Sequence, residues 1–427
     1  MRIAIVGPTH PYKGGIAQHT TELARRLAAR GHQVEIASWS AQYPARLYPG
    51  QQKVDTAEME PFAATSYPLS WRRPDSWVRL GRRLRRDADA VVLVVVTPIQ
   101  APAYLGILSG LGHTRAGHAG PGHAGARAAG RPPRVLALCH NVLPHERRVV
   151  DEPLIRAVLR RADAVLVHTD AQASVAGGLT PVPVAVAAMA PHGVGVGAGA
   201  GVVGAGGASP ATDAPDPVRR RLLFFGLVRP YKGLDVLLRA LAAGPPGVAL
   251  TVAGEFWGGI DATRALITEL GLDERVELRP GYVPAADLPG LFAAADALVL
   301  PYRAGTASQN VDVAHLHGLP VVATRVGTLG ESVRDGVDGL LVAPDDVEAL
   351  AAALRRLYEP GLLADLRAKV QPPDSDGAWK PYLDQVEPLL GVQPPLAEPP
   401  LAQPPLAGPG LAGPVPAAPA SDPDGLA

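Results

Sequence analysis

Cysteine is almost absent. Cys139 is the single one in 427 residues. No internal disulfide can form, and the chain suits a reducing compartment. Net charge is absent as well. Forty basic residues balance forty acidic ones, which argues against broad nucleic-acid binding. Long apolar runs are missing too. Ala90 to Val96 spans seven residues, far too few to cross a bilayer, and its valines suit a buried parallel strand. Arg2 opens a short strand and not a long apolar segment, so no signal peptide is expected. The expected location is the cytoplasm.

What is abundant is glycine and proline, with 47 and 45 copies, and they gather in three stretches that do not read as folded. Residues 112–130 repeat Gly-His at 112–113, 117–118 and 122–123. A metal-binding tract is one reading, and an expanded Gly/Ala loop the simpler one. Residues 193–218 are rich in Gly, Ala and Pro and read as a linker between two domains. Gly199 to Gly204 formally matches a dinucleotide fingerprint, but no helix follows, so the match is composition. Residues 391–427 repeat Pro-Pro-Leu-Ala and are expected to be disordered or polyproline II.

Between these stretches, apolar strands alternate with amphipathic helices. Met1 to Val6 reads as a first strand, Ile16 to Arg30 as a helix and Gln33 to Ser38 as the next strand. Further strands are expected at Val135–Leu138, Ala164–Val167, Leu222–Phe225, Ala249–Ala253, Val276–Leu278, Ala297–Leu300, Val321–Ala323 and Gly339–Val342. Repeated βα units imply α/β architecture with parallel sheets covered on both faces. The length exceeds what one core usually spans, so two domains are expected: 1–192, then 219–372 after the linker. Trp379, Tyr382, Val386, Leu389 and Leu390 fit a last helix over 376–390.

Two glycine turns carry the chemical signal. Phe224-Phe225-Gly226-Leu227-Val228-Arg229-Pro230-Tyr231-Lys232-Gly233 joins a buried strand to a helix. Free N–H groups at such a turn favour anions. Arg229 and Lys232 there suit two negative charges, as in a diphosphate. The plain alternative is that both are solvated turn residues. Near the N-terminus, Gly14-Gly15 lets the backbone approach a ligand without a Cβ in the way. Ligands of parallel sheets bind beyond the carboxyl ends of the strands, so both turns point at one cleft.

In order and spacing, these motifs resemble a family. Gly226 to Gly233 is followed by Val252-Ala253-Gly254-Glu255, Gly281-Tyr282-Val283-Pro284, Ala294 to Pro301, Gly318-Leu319-Pro320 and Asp335 to Val342. The set resembles the retaining, nucleotide-sugar-dependent glycosyltransferases of the group that includes sucrose synthases and mannosyltransferases. The resemblance covers roughly residues 1–192 and 219–358. It implies the GT-B fold, two Rossmann-like domains facing each other across a cleft. The domain 1–192 would face the acceptor and 219–372 would bind the nucleotide sugar, with the last helix crossing back onto the first domain.

The resemblance also implies roles. His140 ends a strand where relatives carry a histidine that touches the donor sugar, and it joins Arg229 and Lys232 as a catalytic candidate. The donor-binding candidates are Gly14, Gly15, Gly226, Tyr282, Val283, Gly305, Thr306, Ala307 and Ser308. His10 is a candidate acceptor-side contact. No Asp-x-Asp faces the cleft convincingly, so no metal and no cofactor is expected and the cations neutralise the leaving phosphate. Asp296 is expected to cap a helix, and His145 and Glu146 give no firm metal spacing. In relatives the arginine often follows the glycine directly, where this chain has Leu227.

The main departure lies between Pro301 and Val313. The family usually carries two glutamates there, separated by seven residues. Their places fall on Gly305 and Val313, so both carboxylates are missing. Asp312 adjoins the second place and is expected to point elsewhere. The expected function is hexose transfer from a nucleotide sugar to a polysaccharide or lipid-linked acceptor. The alternatives are a catalytically degenerate nucleotide-binding or scaffold protein, and a sugar-nucleotide epimerase, which needs carboxylates in the cleft. Trp77, Leu80 and Leu84 line one face of a basic helix over Val78 to Arg86, while Arg79, Arg82, Arg83, Arg85 and Arg86 crowd the rest. Such a helix suits either an anionic membrane surface or ordinary packing with a solvated arginine face.

Overall fold

The computed structural model describes residues 1–44, 50–55, 57, 59–113, 131–144, 146–192, 219–305 and 308–392. The linker, the proline-rich tail from Gln393, most of the Gly-His stretch, His145, Thr306 and Ala307 lie outside them. Residues Met1–Val392 form one compact unit.

That unit holds two parallel sheets. The first contains β1 (Arg2–Val6), β2 (Gln33–Ala41), β3 (Thr65–Ser70), β4 (Ala90–Val95), β5 (Arg134–Cys139), β6 (Ala164–Val167) and β7 (Val184–Val186). Their order is β3-β2-β1-β4-β5-β6-β7. Helices α1 (Gly15–Ala29), α2 (Asp75–Asp87), α3 (Ala101–Leu111), α4 (Asp151–Leu159) and α5 (Asp170–Leu179) connect them. The second sheet contains β8 (Arg221–Phe225), β9 (Ala249–Gly254), β10 (Val276–Pro280), β11 (Ala297–Leu300), β12 (Val321–Thr324) and β13 (Gly339–Val342), in the order β10-β9-β8-β11-β12-β13. Its helices are α6 (Leu234–Ala242), α7 (Asp261–Glu269), α8 (Leu288–Ala293), α9 (Asn310–Leu316), α10 (Leu329–Ser332), α11 (Val347–Leu357) and α12 (Leu362–Lys369).

The side-chain period of two explains the all-apolar strands. In β4, Val91, Leu93 and Val95 enter a core filled by α2 to α5, while Ala90, Val92 and Val94 enter the opposite one. The second core is closed by α1, through Leu23 and Leu27, and by α13 (Ser375–Leu390), through Trp379, Tyr382 and Val386. The last helix therefore sits on the first sheet, although it follows the second in sequence.

Several details differ from the sequence reading. β3 and β7 carry no clear apolar run. β3 contains Pro68 and exposes Ser66 to Pro68 at the sheet edge, and β7 is three residues long. The basic helix begins earlier than Val78, at Asp75. Asp296 does not cap a helix. Its buried carboxylate accepts from the backbone N–H groups of Arg219 and Arg221, from the Tyr358 hydroxyl and from Arg367. It ties the start of β8 to α11 and α12, because the chain has already turned into β11 where it stands. Gly112 ends α3 in the left-handed conformation, and His113 is buried between the carbonyls of Arg161 and Pro133. The first Gly-His pair is thus part of the fold.

Candidate active site

A cavity of about 350 Å³ opens between the two sheets, beyond the carboxyl ends of their strands. The first sheet contributes Gly14, Gly15 and Gln18 from the start of α1, His140 and Asn141 after β5, and Met189 and His192 after β7. The second contributes Phe225 at the end of β8, Tyr282 and Val283 after β10, and Ser308, Gln309, Asn310 and Val313 around α9. Among the described residues the wall carries no Asp, Glu, Lys or Arg.

Charge stands around the cavity in pairs that cross the cleft. Lys13 and Glu255 lie 2.5 Å apart with both side chains nearly buried. Glu255 also accepts from the Gln51 backbone N–H, and Lys13 lies over the Tyr282 ring. Arg229 pairs with Glu146 and lies 5.1 Å over Trp257. The Gln309 side-chain amide meets His192 Nδ1.

Lys232 differs from both paired cations. It ends a tight turn, Pro230–Lys232, between β8 and α6. Gly233 closes that turn at φ 66°, where a methyl group would lie 2.0 Å from the Pro301 carbonyl oxygen. Arg303 holds the turn from below, through its backbone N–H to the Tyr231 carbonyl and its guanidinium to Asp235. Among the described residues no carboxylate pairs with Lys232. Its ammonium lies 4.9 Å over the Tyr302 ring. Burial alone would lower its pKa, but Tyr302 and Tyr231 outweigh it and the net direction is up, so the charge persists.

His140 stands on a cluster of buried imidazoles. Its ring centroid is 4.9 Å from that of His19 and 5.0 Å from that of His168, and His19 also touches His192, Trp379 and Tyr382. Burial holds His140 and His19 well below the usual histidine range, with further lowering from the neighbouring imidazoles. Burial likewise lowers His192, to about 3. All are neutral at pH 7. His140 Nε2 has no hydrogen-bond partner among the described residues. Among the described residues no group of three or more His, Cys, Asp or Glu is arranged to hold a metal ion.

The candidates named from sequence therefore fall into different places. Gly14, Gly15, His140, Tyr282, Val283 and Ser308 line the cavity. Gly226 and Lys232 adjoin it behind Phe225, and Arg229 stands at the cross-cleft pair. Gly305 lies beside Tyr302 and not in the cavity wall. Thr306 and Ala307 are outside the described residues. His10 faces a separate small hollow with Tyr12 and Thr21. Val313, at the place where the resemblance implies a carboxylate, puts an apolar side chain in the wall. Asp312 is half-buried without a hydrogen-bond partner among the described residues, and burial pushes its carboxyl up to about 6. Gln18, Asn141, His192, Gln309 and Asn310 were not singled out. They stand far apart in sequence, at 18, 141, 192 and 309–310, and only the tertiary fold brings them together.

Solved structures with this arrangement cover nearly the whole chain. Sucrose-phosphate synthase from Thermosynechococcus elongatus matches with a TM-score of 0.65 at 18% identity, over 92% of this chain and 100% of that one. HepE from Anabaena, solved in complex with UDP, matches at 0.62 and 16%, over 91% and 100%. The class is thus the two-domain α/β GT-B fold of glycosyltransferases. Within it, residues 13–195 match the family described as Glycosyltransferase Family 4, and residues 219–360 the family described as Glycosyl transferases group 1. Each of the two sheets thus falls within a stretch that is similar to a glycosyltransferase family. D-inositol 3-phosphate glycosyltransferase of Mycobacterium marinum is 39% identical over 142 residues, 32% of this chain and 30% of that protein. Its counterpart in Rhodococcus opacus is 34% identical over 187 residues, 42% of each. The matched stretch is under half the length of these relatives.

Proposed function

We propose that the chain transfers a hexose, with retention, from a nucleoside-diphosphate sugar to a carbohydrate or lipid-linked acceptor. The observation that carries this is Lys232, an ammonium without a counter-ion beside the Gly226 turn, at the edge of a cavity with uncharged walls. A diphosphate at the turn supplies the missing anion, and the hexose occupies the cavity. Neutral His140, in the cavity wall, is the candidate to meet a sugar hydroxyl or charge growing at the anomeric carbon. In this scheme the leaving phosphate takes the acceptor proton, and Lys232 and Arg229 stabilise its charge in place of a metal ion. The charge-free wall speaks against the epimerase, which needs carboxylates. Val313, apolar where relatives carry a carboxylate, favours a second reading: a nucleotide-binding protein without turnover.

Acceptor delivery at the cytoplasmic face of a membrane is part of the proposal. Trp71, Arg79, Arg82 and Arg86 are exposed on and beside α2, a face that suits anionic lipid. Among the described residues no helix is long and apolar enough to cross a membrane.

A thermal-shift panel tests both readings. Each nucleotide sugar is compared with its free nucleoside diphosphate, with and without anionic vesicles, and turnover is followed in parallel. Transfer predicts that one sugar form stabilises beyond its nucleotide and is consumed. Equal stabilisation by the free nucleotide with no consumption leaves the binding protein standing. No stabilisation by any member removes both.

A further inference from the structure

Gly226 turns at φ 101° at the end of β8. A methyl group on it would lie 3.3 Å from Asn310 Nδ2, 4.0 Å from Asn310 Oδ1 and 3.6 Å from Lys232 Nζ. Bare backbone, amide and ammonium thus border one small space. Asn310 is fixed in it. Its Nδ2 donates to the Phe225 carbonyl at 3.0 Å and to the Tyr302 hydroxyl at 3.2 Å. The same Tyr302 ring carries the Lys232 ammonium. Both amide hydrogens are therefore in use, and the side chain cannot turn freely.

A shielded ammonium is ordinarily matched by a carboxylate, because an unpaired charge away from water is costly. Here the place next to Lys232 holds the uncharged isostere of aspartate. The other cations of the cleft, Lys13 and Arg229, do have their glutamates. The difference is confined to the position that adjoins both the cavity and the bare Gly226 backbone.

We propose that Asn310 is a specificity-determining residue for the donor: an uncharged amide that packs where a counter-ion would stand and leaves the Lys232 charge to the phosphate of a nucleoside diphosphate. The inference rests on Lys232 as the diphosphate contact. An aspartate at 310 would hold the ammonium internally, and an incoming phosphate would have to displace it and meet its repulsion. On this proposal the site favours a nucleoside diphosphate over the bare nucleoside. Lys232, which no carboxylate pairs among the described residues, gains no counter-ion from a ligand without phosphate.

The test is calorimetry with UDP, GDP and ADP, and with uridine, guanosine and adenosine, on wild type, Asn310→Asp and Asn310→Ala. For the diphosphate that wild type binds, Asn310→Asp is expected to lose roughly tenfold or more in affinity, the size of one charge-assisted contact. The matching nucleoside should bind both proteins alike. A structural role would weaken both ligands together. Asn310→Ala, which removes two hydrogen bonds but adds no charge, should stay within roughly threefold of wild type, since neutral hydrogen bonds contribute little net. Equal diphosphate affinity in Asn310→Asp and wild type overturns the inference alone, as does a loss shared by the nucleoside. If Asn310→Asp does not fold, Asn310→Ala decides: a tenfold loss there makes Asn310 a scaffold. If wild type binds none of the three diphosphates, Lys232 is not their contact and the inference falls with it.

Discussion

Lys232 and Arg229 sit three residues apart on one turn, yet their surroundings set them different tasks. Arg229 already holds Glu146, so a phosphate arriving there exchanges one anion for another and gains little. Lys232, which no carboxylate pairs among the described residues, gains a counter-ion. Lys232→Ala is therefore expected to weaken nucleoside-diphosphate binding by about 2 kcal/mol, more than Arg229→Ala. Calorimetry on the two variants checks the order, and unchanged affinity in both would remove the cation clamp. At this scale the sequence speaks through local motifs. A glycine turn between a strand and a helix marks Gly226 and Lys232 because neighbouring residues make the whole signal. Asn310 and Gln309 stand in a stretch that departs from the motif the resemblance implies, and His192 borders a Gly/Ala-rich segment. Their partners Phe225, Tyr302 and Gly15 are brought to them only by the pairing of strands and the approach of the two sheets.

At the scale of elements, α1 and α13 close together over one face of the first sheet. His19 on α1 packs against His140 after β5, His168 after β6 and His192 after β7, with Trp379 and Tyr382 of α13 as the lid. The four imidazoles are all lowered from 6.5, chiefly by burial. The unfolded chain then binds more protons than the folded one below that value. Their contribution is intact above pH 6.5 and is lost as pH falls from there toward the folded values, about 3 for His192. The urea midpoint should drop between about pH 8 and pH 5.5, and less so in His19→Leu. A midpoint that is flat over this range would refute the burial of neutral imidazoles. The helix α1 was legible from Leu23, Ala24 and Leu27, and the buried strands from their valine and leucine runs. The histidine cluster was not, because four polar residues on four elements leave no periodic trace.

At the scale of the molecule, the chain passes from the first sheet to the second after β7 and returns after α12. The returning helix is firmly seated. Trp379 Nε1 donates to the Pro191 carbonyl, Arg30 pairs with Glu387, and Arg134 Nε reaches the Leu389 carbonyl. Trp379, Tyr382, Leu383 and Val386 fill the apolar face over Ile5, Leu23 and Leu27, each side chain contributing about 1.5–3 kcal/mol by its burial.

The consequence is one of heredity and handling more than of chemistry: the two halves are not interchangeable modules that can be cut apart and expressed separately. A gene fragment ending at residue 192 lacks its own roof, and should yield insoluble material. The peptide 375–390 supplied in trans should recover part of it, since the seat it fills belongs to the fragment. Conversely, protease nicking within 193–218 of the intact protein should leave a single particle on a sizing column, because the second passage still joins the pieces. Two separate particles after such a nick would show that the returning helix is only loosely held.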